Sequence, residues 1–61
     1  MWRYVQTLER KVWINQEMIS QIEQVSDDVV VVYFNDGRRL ELWENYDELL
    51  ECWGVVKPLN P

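Results

Sequence analysis

The sequence predicts an α+β fold that is mostly β: a small antiparallel meander, or a curled barrel-like sheet, of about five short strands with one short C-terminal helix. Three observations predict it. Val29 to Phe34 and Arg38 to Trp43 are runs rich in β-branched and aromatic residues, and they flank Asn35-Asp36-Gly37, which is hairpin turn chemistry. Asn45 followed three positions later by Glu48 has the spacing of a helix capping box, and an apolar stripe succeeds it. Upstream, Trp2 to Leu8 and Lys11 to Ile14 are two further β-favouring runs.

Along the chain, Trp2 to Leu8 alternates loosely and pairs with Lys11-Val12-Trp13-Ile14 through a turn at Glu9-Arg10, whose turn chemistry is weak. Asn15 to Val25 reads two ways. Ile14, Met18, Ile22 and Val25 fit helical spacing, whereas Ile19 to Val25 also reads as a strand entered through a short turn at Asn15-Gln16-Glu17. Ser26-Asp27-Asp28 is a polar turn before the valine run.

For the central hairpin, a two-residue loop at Asp36-Gly37 sets Phe34 opposite Arg39, Tyr33 opposite Leu40, Val32 opposite Glu41, Val31 opposite Leu42 and Val30 opposite Trp43. One face then carries Val29, Val31, Tyr33, Leu40 and Leu42 and reads as the core. The other carries Val30, Val32, Phe34, Arg39, Glu41 and Trp43, too apolar to be left in water. A three-residue loop with a bulge shifts this register by one.

In the helix, Tyr46, Leu49, Leu50 and Trp53 recur at i, i+3, i+4 and i+7 as one stripe, with Asp47 and Glu48 in the first turn where the helix dipole favours them. Gly54 is the predicted stop. Pro58 excludes a central strand near the C-terminus, although Val55 and Val56 can pair briefly at an edge. Residues 1–61 read as a single small domain, with 53–61 as an extended tail.

From Lys11 onward the order is strand, Asn-led turn, the strand Ile19-Ser20-Gln21-Ile22-Glu23, polar turn, valine strand, Asn35-Asp36-Gly37-Arg38, strand, and the capped acidic helix Glu44 to Leu50. This order resembles the small flagellar-operon proteins of the FlbD type. The resemblance implies a β-rich fold in which Asn15 to Ile19 is a turn and Ile19 to Val25 a strand, and it carries over no catalytic residues. The order is also similar, more distantly, to the first part of LytTR-type DNA-binding domains. Those are longer and read DNA through basic loops, whereas this chain is acidic and ends earlier.

Composition bounds the function. Eleven acidic against six basic residues give a net charge of −5, which repels a phosphate backbone and argues against generic nucleic-acid binding. The absence of histidine removes imidazole bases, His-dependent triads and His-ligated zinc. Two glycines, Gly37 and Gly54, cannot build a phosphate-cradling loop. The single cysteine, Cys52, closes no internal disulfide and reads as a small buried hydrophobe in a reducing, cytoplasmic setting. No apolar run approaches the roughly 20 residues of a membrane span, so a soluble protein is expected.

The acid-bearing motifs have plain structural readings. Asp27, Asp28 and Asp36 lack the ligand spacing of a calcium loop and read as turn residues, and Asp47, Glu48 and Glu51 read as a solvated helix face. No catalytic, metal-binding or cofactor-binding residue is expected. The aromatic residues carry the functional expectation instead. Trp13, Val30, Val32, Phe34, Arg39 and Trp43 are the expected interface, with Arg39 near enough to Phe34 for a cation–π contact of about 0.5 to 1 kcal/mol. A chain of 61 residues without disulfide or metal often completes its core by association.

The expected function is therefore that of a non-enzymatic, homo-oligomeric protein-interaction module with an apolar aromatic face and an acidic rim. The alternative is an oligomer of phage or mobile-element type, an anti-defence protein, in which Arg38 and Arg39 sequester an anionic nucleotide-like ligand. A further alternative is an acidic decoy of a nucleic-acid-binding surface.

Overall fold

Runs rich in β-branched and aromatic residues make strands of β1 (Trp2–Gln6) and β2 (Lys11–Asn15), with Val5 and Ile14 turned inward, and this antiparallel ribbon opens the computed structural model, which describes residues 1–55. Its register sets Trp2 opposite Asn15, Tyr4 opposite Trp13 and Gln6 opposite Lys11. The turn is not at Glu9-Arg10 but one residue earlier, at Leu8-Glu9, and its chemistry comes from Thr7. The Thr7 hydroxyl donates to Arg10 O at 2.7 Å and accepts from the N–H groups of Glu9 (3.2 Å) and Arg10 (2.9 Å).

Asn15 then caps a single 3₁₀ turn, Gln16–Met18, its Oδ1 accepting from Glu17 N–H. Of the two readings of this stretch, the strand is the one formed: β3 spans Ile19–Gln24 and pairs with β4 (Val30–Phe34), with a bulge between Ile19 and Gln21. β5 (Arg39–Leu42) completes the three-stranded antiparallel sheet in the order β3-β4-β5. The two sheets meet where Thr7 bridges Leu42 and Trp43 N–H donates to Gln6 O at 2.7 Å, and they do not close into a barrel.

The β4–β5 register differs by one residue from the two-residue-loop expectation. Phe34 N–H donates to Arg38 O and Gly37 N–H to Phe34 O, so the loop is the three residues Asn35-Asp36-Gly37, with Gly37 at φ 90° in the left-handed region. Val30 consequently faces Leu42, Val31 faces Glu41, Val32 faces Leu40 and Tyr33 faces Arg39. The β4 residues of the face expected to be uncovered are thus on the core side: Val30 and Val32 are fully buried in the single chain together with Leu42, which was expected in the core, whereas Arg39, Glu41 and Trp43 are exposed. Val31, on the opposite side between Glu23 and Glu41, is also buried.

The helix, α1 (Tyr46–Trp53), forms as its sequence dictates. Asn45 Oδ1 accepts from Glu48 N–H at 3.0 Å. At the other end Gly54 takes φ 70°, its N–H donates to Glu51 O, and Val55 N–H donates to Leu50 O, a Schellman closure. Leu49, Leu50 and Trp53 are buried against Val5, Ile14, Val30, Val32 and Leu42, with Tyr46 and Val55 packed alongside. The residue expected to begin the tail, Trp53, therefore ends the helix inside the core, and the rest of the expected tail from Val56 onward, including the Val56 edge pairing, lies outside the described residues. Arg3 ties the helix end to the ribbon. Its Nε donates to Gln16 Oε1 at 2.7 Å, Gln16 Nε2 donates to Trp53 O at 3.2 Å, and Arg3 Nη2 reaches the same carbonyl at 3.5 Å.

Candidate functional site

Strand alternation decides what the β1–β2 ribbon shows to solvent. Thr7 N–H donates to Arg10 O and Gln16 N–H to Met1 O, so the hydrogen-bonded pairs between them are Val5 with Val12 and Arg3 with Ile14. Those pairs face the core side. Tyr4 and Trp13 form the intervening non-hydrogen-bonded pair, where opposed side chains come closest, and their ring centroids lie 4.8 Å apart with the planes tilted by 36°. Lys11 Nζ lies 5.5 Å from the Tyr4 ring centroid. Trp2, at 63% exposure, Tyr4, at 55%, and Trp13, at 61%, form an outward aromatic face. Trp43 is 59% exposed, and the bond from its N–H to Gln6 O sets it beside β1 on the outward side that Gln6 shares with Tyr4.

Beside this face lies an open groove of about 390 Å³ between β2 and the tip of the β4–β5 hairpin. Val12 to Asn15 form one wall, Phe34 and Arg38 to Leu40 the other, and Trp2 and Met18 complete it. Among the described residues, two arginines and no acidic residue line it. The two arginines differ in what they are free to do. Arg38 Nε donates to Asp36 Oδ2 at 2.7 Å and its guanidinium carbon lies 6.0 Å from the Phe34 centroid, whereas Arg39 makes no ion pair among the described residues. The Arg38 backbone N–H, donating to Asp36 Oδ1 at 3.0 Å, holds the Asp36 carboxyl below its ordinary range; slight desolvation opposes it and the Arg38 side chain reinforces it.

The expected interface residues divide accordingly. Trp13, Arg39 and Trp43 are exposed, Phe34 is half-buried, and Val30 and Val32 are excluded as interface residues because the three-residue loop turns them into the core. Trp13, Phe34, Arg38 and Arg39 do come together around the groove, while Trp43 does not line it. The cation–π partner of Phe34 is Arg38 rather than Arg39, again because of the register. Trp2 and Tyr4, which share this face, were not singled out from the sequence; the signal was their alternation along β1, with Tyr4 opposite Trp13, which the weak turn residues obscured.

Cys52 is exposed rather than buried, because it falls beside the stripe of Tyr46, Leu49, Leu50 and Trp53 instead of on it. Among the described residues no group of His, Cys, Asp and Glu is arranged to hold a metal ion, and no helix is long and apolar enough to cross a membrane. Comparison with protein-family models, with curated proteins and with solved structures finds no match.

Proposed function

We propose that this chain is a non-enzymatic interaction module that meets protein, a second copy of itself included, through the aromatic face of the β1–β2 ribbon. The observation that carries the reading is the joint exposure of Trp2, Tyr4 and Trp13 on one side of a chain whose valine ribbon is already covered. Core formation therefore does not account for these rings. Trp and Tyr concentrate binding energy at interfaces because each buries a large rigid surface at small entropic cost, and Lys11, Arg39 and the acidic side chains supply a polar surround.

Light scattering coupled to size exclusion at micromolar concentration tests the self-association arm. A dimer or larger assembly is expected, and Trp13→Ala and Trp43→Ala should each weaken it by more than about 1 kcal/mol. Monomers at every concentration, with an intact fold, would remove homo-oligomerisation from the reading. A second reading, sequestration of a small anionic nucleotide-like ligand, is favoured by the meeting of Trp13, Phe34, Arg38 and Arg39 at one groove. It stands behind the first because Arg38 already neutralises Asp36. Calorimetry with nucleotides decides it, and no heat with the wild-type protein would eliminate it.

A further inference from the structure

The geometry points to the open edge of β2 as a docking site for an extended acidic peptide, which adds a strand alongside β2 and sets its alternate side chains into the groove. This inference rests on the reading of the chain as an interaction module and names the partner's chemistry. The first support is the parity of the β1–β2 ladder. Since Arg3, Val5 and Thr7 form the hydrogen-bonded pairs with Ile14, Val12 and Arg10, the N–H and C=O groups of Lys11 and Trp13 point away from β1. The opposite side of the ribbon obeys the same parity, because Gln6 O accepts from Trp43 N–H and Gln6 N–H donates to Glu44 Oε2. On the β2 side, none of the described residues pairs with Lys11 or Trp13 backbone.

The second support is the groove itself. Four consecutive strand residues, Val12 to Asn15, can line one groove only along the strand's edge, since their side chains alternate between faces. A peptide there gains main-chain bonds from the edge and specificity from alternate side chains, the division of labour in strand addition. Charge selects the occupant: in a chain of net charge −5 this groove is lined, among the described residues, by Arg38 and Arg39 and by no acid. Arg39, which makes no ion pair among the described residues, is the group that a partner carboxylate would meet.

The test is selection from a library of short random peptides on the immobilised protein, and then backbone amide NMR with the enriched peptides. Enrichment of acidic residues alternating with apolar ones is expected, with the largest shifts at the Lys11 and Trp13 amides. Arg39→Glu should lower affinity at least about tenfold, and N-methylation of alternate peptide amides should abolish binding without altering this protein at all. Lys11→Pro removes the outward-facing donor at the edge together with the ammonium beside Tyr4, so it should weaken binding more than Lys11→Gln, which removes the ammonium alone, and equal affinity of the two variants would count against strand addition. No enrichment, equal binding of Lys-for-Glu peptides, or shifts that avoid the β2 edge would overturn the inference. So would protection of the Lys11 and Trp13 amides by a second copy, or nucleotide binding at Arg39 that leaves those amides unmoved. Loss of assembly in Trp43→Ala with peptide binding intact bears on the aromatic face alone, so the two proposals fail separately.

Discussion

Thr7 shows how much one side chain can decide. It is the buried polar residue of the described chain, yet none of its hydrogen-bonding capacity is wasted, since its hydroxyl serves both backbone N–H groups and the carbonyl of the first turn. Thr7→Val keeps the volume and strips those bonds, and a loss of about 1 kcal/mol in urea unfolding is expected, with Thr7→Ser losing less than half of that. Asp36 acts at the other turn by charge. With its carboxyl held below the ordinary range chiefly by Arg38 N–H, the folded state binds the proton more weakly than the unfolded state. Its contribution is therefore complete above the unfolded-state pKa and is lost as pH falls through the lowered folded value. Asp36→Asn keeps an acceptor for Arg38 N–H but cannot titrate, so the fall in stability below about pH 4 should be shallower in unfolding curves of the variant.

At the scale of the element, α1 was the most legible part of the sequence because its stop and start signals are local. Asn45 serves Glu48 N–H and also donates to Asp27 O, so Asn45→Ala should cost about 1 kcal/mol and loosen the turn before β4. Gly54 is a cleaner test of backbone conformation. A Cβ built there meets nothing within 4 Å, so Gly54→Ala carries only the left-handed penalty of about 1 kcal/mol, measurable by thermal or urea unfolding. The hairpins were legible as hairpins but not in detail. Asp36-Gly37 is compatible with both a two-residue and a three-residue loop, and one residue of difference exchanges the faces of β4 relative to β5. That exchange moved Val30 and Val32 from the expected interface into the core. The candidate site was legible only in its chemistry: Trp13, Phe34, Arg38 and Arg39 were singled out, but their meeting depends on where β2 lies relative to the β4–β5 tip, a long-range placement that no local pattern encodes.

For the molecule as a whole, the margin is small. A chain of 61 residues is expected to be stable by only about 3 to 9 kcal/mol, so a single core cavity can consume most of it. Leu42 and Trp43 are adjacent, and the register assigns them opposite duties. Leu42 is fully buried, opposite Val30, bridged to Thr7, and part of the cluster that holds the helix on both sheets. Leu42→Ala should therefore cost about 2 to 5 kcal/mol, enough to leave a substantial unfolded fraction at ambient temperature. Trp43→Ala removes a larger side chain that is 59% exposed, and unfolding of the monomeric protein should change by no more than about 0.5 kcal/mol while assembly weakens. Had the two-residue loop been the real one, Trp43 would pair with Val30 across the strands, on the other face from Leu42. Urea unfolding of the two variants at low protein concentration, read beside light scattering at high concentration, thus checks the register and the exposed aromatic surface in one comparison. Comparable destabilisation by both substitutions would contradict the register that builds the site.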